Sequence, residues 1–405
     1  MRTDNGLADR IAQIQKTFTK LYGKEPDQWV RAPGRVELLG TDTDDAEGYV
    51  LTMAIDRDTT IAFSKAADRN GRYARVHSTN LESTVEFDLP PHGSKGAPLS
   101  EEKPSWASYV YGVAAVLSEA GVNAPAFDAV ISSTVPVGAG LSSSASLELA
   151  TVSMLLELTG ESLPLMRQAL LSQQAEHEYA KVNCGILDQY SAAFGEAGSA
   201  MLLDCRALSH VLVAIPEDIS IVIANTNVSR SLADSEYGTW KDQCLRAASL
   251  LSEHRDKIRT LRDVTPKEFA ELGDYLEDEK MRQRARFIVE ENVRAVEITA
   301  ALVDDDRAAI RRLTAASFEG MRDLYGKTVP EMERMFEAMK DAPGFIGGRQ
   351  SGGGFGGCLI AYVESERVDS FVRAVEGKYE STSGIAPGVF VAESADGNGV
   401  LSPVS

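Results

Sequence analysis

The chain has 405 residues, with 41 basic against 60 acidic side chains and a net charge of −19. Hydrophobic residues at 43% and charged residues at 25% are globular proportions that exclude wholesale disorder. The acidic balance argues against the basic face that nucleic acid or an anionic membrane surface would need. At roughly 100–200 residues per domain, the length predicts two or three domains. Cys184, Cys205, Cys244 and Cys358 stand far apart, without metal-ligand spacing. The first residues show no apolar leader, and no apolar run approaches the roughly 18 residues of a membrane span. We expect a soluble, cytoplasmic protein.

In chain order, the first glycine-bearing segment is RAPGRVELLG (31–40). The acidic block TDTDDAEG (41–48) is not a calcium loop: Ala46, Glu47 and Met53 occupy positions that would need an acid or amide, a glycine and a glutamate. It is either a solvated turn or a set of carboxylates for vicinal sugar hydroxyls. YVLTMAI (49–55), TTIAF (59–63) and AFDAVISSTV (126–135) read as strands, the last running into PVGAGLSSSAS (136–146). Helical spacing over 143–160 ends at Gly160. A second helix is predicted with Ser162 as cap and Pro164 in its first turn, continuing to about Ala180. After NCGILDQY (183–190), strands are predicted at 200–205 and 219–227, helices at 232–257, 276–303 and 330–341, and strands at 358–363 and 388–394. Without a regular β-α rhythm this reads as α+β, not a doubly wound sheet. The boundary falls near 205–215, giving units 1–208 and 209–405.

Two glycine segments suggest ligand contact. In 136–146 a strand delivers a small-residue loop to a helix start, where unsatisfied N–H groups and a partial positive charge suit a phosphate. The alternative is a Ser-capped helix after a tight turn; no lysine follows the second glycine, so it is not a Walker loop. GGGFGG (352–357) satisfies G-x-G-x-x-G but precedes a strand, which argues against a dinucleotide fingerprint. It is a turn or a place of close backbone approach.

PGRVELLG, PVGAGLSSSAS and GGGFGG, in this order, resemble the three motifs of the GHMP small-molecule kinases. Within them, SWASYVYGV (105–113), AEHEYA (175–180), CGILDQY (184–190), SLADSEY (231–237) and GGRQSGGGFGGC (347–358) are similar to galactokinase segments. The resemblance covers residue 28 to the C-terminus. It implies a two-domain α+β architecture with the active site between the domains. Phosphates of ATP would sit on Gly138, Ala139, Gly140, Leu141, Ser142, Ser143, Ser144 and Ala145, with Trp106 bordering the nucleotide. Asp188 would be the catalytic aspartate and Arg35 its cationic neighbour. Ser144 and Glu176 would hold Mg²⁺. Arg35, Thr41, Asp42, Asp44, Gly185, Asp188 and Tyr237 would line the sugar.

Phosphoryl transfer to a hydroxyl needs in-line positioning, charge neutralisation and a place for the proton, and an aspartate beside an arginine keeps its charge. Each residue has a structural alternative: Asp188 a helix cap, Glu176 a surface charge, Arg35 an ion-pair partner, Trp106 a core aromatic. Galactokinases usually read GEHTDY where this chain reads GTDTDD. Thr41 replaces the glutamate, Asp42 the histidine and Asp45 the tyrosine, while Glu37 stands where asparagine is common. The corner near the sugar's C6 end is therefore rewritten. The substrate is galactose with its hydrogen bonds refilled, or a sugar altered at C6 or C2. Asp42, Asp44 and Asp45 argue against a uronic acid by repulsion. Another GHMP kinase and a non-catalytic sugar- and ATP-binding regulator are the rival functions, and the intact Ser144–Ala145 favours catalysis. The expected partners are a small sugar and ATP, with the chain monomeric or weakly self-associating.

Overall fold

The computed structural model describes residues 4–66, 72–228 and 233–401, with side chains for all of these except 4, 5 and 233–239. The strands are β1 (Gln28–Leu39), β2 (Tyr49–Lys65), β3 (Tyr73–Ser78), β4 (Ser83–Asp88), β5 (Phe127–Ser133), β6 (Ser199–Asp204), β7 (Ser209–Ala214), β8 (Ile219–Asn225), β9 (Phe345–Gln350), β10 (Cys358–Glu364), β11 (Gly388–Ala392) and β12 (Gly399–Val400). The α-helices are α1 (Asp4–Tyr22), α2 (Ala107–Glu119), α3 (Ser143–Thr159), α4 (Leu165–Ala175), α5 (Leu187–Phe194), α6 (Ala233–Ser252), α7 (Pro266–Leu272), α8 (Glu279–Val303), α9 (Arg307–Gly320), α10 (Pro330–Lys340) and α11 (Val368–Ser383). Among the described residues, no helix is long and apolar enough to cross a membrane.

The strands form two sheets. The larger has the order β12-β1-β2-β5-β3-β4, with β6 pairing β2 and β7 pairing β6; the smaller is antiparallel, in the order β11-β8-β10-β9. The long β2 makes the first layout possible, because its N-terminal half pairs with β6 and its C-terminal half with β5. Helices α2 to α5 cover one face of the large sheet around Val30, Ile61, Phe127, Leu149 and Tyr190. A second core joins Val36, Leu38 and Met53 of the large sheet to Ile223 and Ile360 of the small sheet and to Ile298 and Leu313 of α8 and α9. The strand β1 contributes to both cores and carries two register shifts against β2, at Pro33/Arg35 and Glu37/Leu39. Such bulges bend a strand and re-aim its side chains. The strand β7, just past residue 208, lies in the large sheet, and β12 returns to its far edge.

Several local expectations differ from the fold. Residues 31–39 of the first glycine segment lie inside β1, and 347–350 belong to β9. Their glycines stand where a neighbour comes too close for a Cβ: one added at Gly34 would lie 2.7 Å from the Leu141 carbonyl oxygen. The polar break Asp56–Asp58 does not interrupt β2, because Asp58 accepts the ion pairs of Arg10 and Arg31 at 2.6 and 3.2 Å. Pro164 (φ −55°, ψ 142°) precedes α4 instead of lying in its first turn. Helix α4 ends at Ala175, and a π-helical turn runs over Glu176–Ala180. Helix α1, which the apolar pattern did not announce, buries Ile14 and Phe18 against Trp29 and Val130.

Candidate active site

The three glycine segments meet. The Arg35 backbone N–H donates to the Leu141 carbonyl at 3.2 Å, and the Cys358 N–H donates to the Ala139 carbonyl at 3.0 Å. Gly357 (φ +81°) allows the second approach; a Cβ there would lie 2.7 Å from the Ala139 oxygen, and few side chains adopt that φ. At the end of the 138–145 loop, Ser142 is left-handed (φ 57°), and its side chain does not cap α3. Its buried Oγ finds no hydrogen-bond partner among the described residues. Helix α3 therefore opens on uncapped N–H groups, the end that accepts an anion. Trp106, half-buried beside the first core, has a buried Nε1 likewise without a partner.

Arg35 is buried and held on three sides. Its Nη1 donates to the Gly140 carbonyl at 2.6 Å, and its Nη2 lies 2.5 Å from Asp188 Oδ1 and 3.1 Å from Glu37 Oε1. Burial works to lower the Arg35 pKa, but Asp188 and Glu37 outweigh it and raise it, so the guanidinium keeps its charge. Asp188 stands in the first turn of the short α5, with its side chain 24% exposed, the accessible member of the pair. It is thus an open carboxylate against a fixed cation, itself tied to the α3 loop.

The π-helical turn places Glu176 beside α3 and α5, as such turns often do at functional sites. Gln189 Nε2 donates to Glu176 Oε2 at 2.6 Å and to Glu148 Oε2 at 3.0 Å, and the Cys184 thiol donates to Glu176 at 3.3 Å. Burial and Asp188 push the Glu176 carboxyl above its ordinary range, only partly offset by hydrogen bonds from Cys184, Ser144 and Gln189. Glu148 is pushed well above it by burial and by Glu176. The Cys184 thiol is raised by burial and these carboxylates, so it stays protonated. Glu148 Oε1 and Gln189 Oε1 are buried without partners among the described residues. The Glu148 and Glu176 carboxyls, the Ser144 hydroxyl and the orphaned oxygens are hard oxygen donors of the kind a divalent cation takes, while among the described residues no group of three or more His, Cys, Asp or Glu side chains is arranged to hold a metal ion.

The segment 41–45 is placed differently from its sequence. Thr41 is buried, with its hydroxyl donating to Glu37 Oε2 at 2.7 Å and accepting from Arg349 Nη2. Asp42 Oδ2 meets the buried ammonium of Lys327 at 2.6 Å, and Asp45 pairs with Lys241 at 2.8 Å. Asp44 lies against Gly185, where an added Cβ would be 2.0 Å from its Oδ2. Burial, then Asp45, Asp42, Glu37 and Asp188, push the Asp44 carboxyl well above its ordinary range. The repulsion argument against an acidic sugar is corrected here, since lysines compensate two of the three carboxylates. The side chain of Tyr237 lies outside the described residues. Reasoning on sequence missed Glu148, Gln189, Arg349 and Lys327. Glu148 could have been found by its spacing, one helical turn after Ser144; the others answer partners distant in sequence.

Residues 108–196 match the GHMP kinases N terminal domain, residues 298–381 the GHMP kinases C terminal, and residues 16–65 the galactokinase galactose-binding signature. A two-part fold whose glycine segments meet at a helix N-terminus defines a GHMP-type small-molecule kinase. The crystal structure of Lactococcus lactis galactokinase complexed with galactose matches at a TM-score of 0.87 and 33% identity, over 97% of this chain and 100% of that one. The chain belongs to the galactokinase family and is a galactokinase-like, ATP-dependent sugar kinase. Methanococcus jannaschii mevalonate kinase (TM-score 0.62, 14% identity, 91% of this chain and 98% of that one) shares the fold. So does Streptococcus pneumoniae phosphomevalonate kinase (0.61, 14%, 91% and 99%).

Proposed function

We propose that the chain transfers the γ-phosphoryl of ATP to the anomeric C1 hydroxyl of galactose or a closely related sugar, in the cytoplasm where ATP is supplied. The observation that carries this reading is the Asp188–Arg35 contact at 2.5 Å, with the same guanidinium bound to the Gly140 carbonyl of the α3 loop. One cation then touches both the group that orients the hydroxyl and the loop that cradles phosphate. Asp188 accepts or orients the hydroxyl proton, and Arg35 offsets charge growing on the phosphoryl oxygens. Residues 138–145 hold the phosphates, and Trp106 borders the base. Ser144 and Glu176 would hold Mg²⁺, which supplies charge neutralisation on the phosphate oxygens when bound. Asp44 and the Gly185 backbone contact the sugar. The catalytic cleft lies between an N-terminal unit of about 1–208 and a C-terminal unit of about 209–405, with β7 and β12 of the second unit completing the large sheet of the first.

A related sugar is the second reading, favoured by the Asp42–Lys327 ion pair where galactokinases usually have histidine. ADP release with MgATP over galactose, N-acetylgalactosamine, glucose, fucose, arabinose and galacturonate separates the two. Turnover on galactose supports the first reading. Turnover on another member reassigns the substrate. ATP binding without turnover on any of them points to a regulator or to a sugar outside the panel.

A further inference from the structure

The charged groups around Arg35 do not end at Asp188. Glu37 follows Arg35 by two residues on β1, in register between the two bulges, so both side chains leave the same face. Glu37 Oε1 takes the Arg35 Nη2 at 3.1 Å, and Oε2 accepts the Thr41 hydroxyl at 2.7 Å. That hydroxyl accepts from Arg349 of β9. Arg349 Nε donates to Ser317 of α9 at 2.9 Å, and its Nη2 lies 3.6 Å from Glu291 of α8. Glu291 also accepts Ser317 Oγ at 2.7 Å, Arg294 Nε at 2.8 Å and the Gly40 N–H at 3.2 Å. Apart from Asp188, every member is at most 8% exposed.

Three arginines, 35, 294 and 349, face the carboxylates of Glu37, Asp188 and Glu291, and Arg294 also pairs at the edge with the more exposed Glu290 at 3.3 Å. Burial alone would raise the Glu291 carboxyl, yet Arg294 and Arg349 hold it below its ordinary range. Arg35 Nη2 lies between the two carboxylates, 2.5 Å from Asp188 and 3.1 Å from Glu37. Without Glu37, that nitrogen would face Asp188 alone, and only the Gly140 carbonyl on Nη1 would still oppose a swing of the guanidinium toward the carboxylate. Thr41 has its donor hydrogen committed to Glu37, which leaves it none to offer a sugar hydroxyl.

We propose that Glu37, held by Thr41 and Arg349, is a positioning residue through which α8 and α9 fix Arg35 toward Asp188. This rests on the reading of Arg35 and Asp188 as the phosphoryl-transfer pair. The test measures kcat, KM for ATP and sugar, and Tm for Thr41→Val, Thr41→Ser, Glu37→Gln and Asp188→Asn. Thr41→Val keeps the volume without adding a charge, so it covers the case in which Glu37→Gln does not fold. Small misplacements of reacting groups cost up to about 100-fold, so Thr41→Val and Glu37→Gln should lower kcat by about 10- to 100-fold. Both KM values should stay within about twofold, the pattern of an interaction felt mainly in the transition state, and Thr41→Ser should restore the rate. A raised sugar KM with kcat intact in Thr41→Val overturns the proposal in favour of direct sugar contact. A lowered Tm with unchanged kcat overturns it in favour of a structural role. If Asp188→Asn is inactive while the other variants match wild type, only the positioning role fails. If Asp188→Asn stays fully active, the assignment of the pair fails and the positioning role with it.

Discussion

Gly185→Ala isolates the contact between the 41–45 segment and the chain leading into α5. An added Cβ would lie 2.0 Å from Asp44 Oδ2 and 2.9 Å from its Cγ. Gly185 is not among the residues with positive φ, so alanine adopts its backbone and the perturbation is steric. Ordinary contact begins at 3.4 Å, so the carboxylate oxygen must retreat from 2.0 Å by about 1.4 Å. It is the far end of a short side chain, so the fold should survive. The surroundings of Asp44 disfavour its charge, so a hydrogen bond between that carboxyl and a sugar hydroxyl contributes about 1–1.5 kcal/mol. Its loss predicts about a 5- to 12-fold weaker sugar affinity at 1.4 kcal/mol per tenfold. ATP affinity should hold, because the α3 loop is untouched. Calorimetric titration of sugar and of ATP, with KM for each, measures both. Sugar affinity within about twofold of wild type, or equal losses for ATP and sugar, would refute the placement of Asp44 at the sugar.

Two further outcomes concern the ion pairs. Lys327→Met leaves Asp42 buried without its 2.6 Å partner and should cost about 3–5 kcal/mol, whereas adding Asp42→Asn should recover most of it; urea unfolding of both variants decides, and equal stabilities would contradict the pairing. Asp204 is held at about 2 by its hydrogen bonds with Arg262, at 2.5 and 2.6 Å, against burial that would raise it. A depressed carboxylate contributes stability above its unfolded pKa and loses it as pH falls through the folded one. From 3.8 to about 2 this is roughly 2 kcal/mol at 1.4 kcal/mol per unit. Asp204→Asn should therefore be less stable by about that much at pH 7, and the gap should close between about pH 4 and pH 2; a gap that persists at pH 2 would show that the charge is not its source.

What the sequence shows and hides follows from the range of the forces involved. The helix at 143–160 and the strand at 358–363 are legible because periodicity and end signals are local. The continuity of β2 is not, since Asp58 is admitted only by Arg10 and Arg31. Glycines 34 and 347 lie inside strands, where Leu141 and Thr314, both distant in sequence, come too close for a side chain. At the site, Arg35, Asp188 and the serine loop stand out by motif order. The roles of Thr41 and Asp42 do not, because Arg349 and Lys327 reach them from some 300 residues away, across 308 and 285 positions. A charge count over 41–45 therefore overstated the negative field there.

The most direct test of phosphoryl transfer at the Arg35–Asp188 pair is a rapid-quench single turnover. Wild type and Asp188→Asn are mixed with MgATP labelled on the γ-phosphate and with the sugar that the wild-type enzyme turns over. The expected result is label on the anomeric oxygen for wild type. For Asp188→Asn, transfer should be slower by about 10²–10⁴-fold, the usual contribution of a positioned acid or base, with ATP binding unchanged. Transfer by Asp188→Asn at the wild-type rate, or label on a hydroxyl other than the anomeric one, would contradict it.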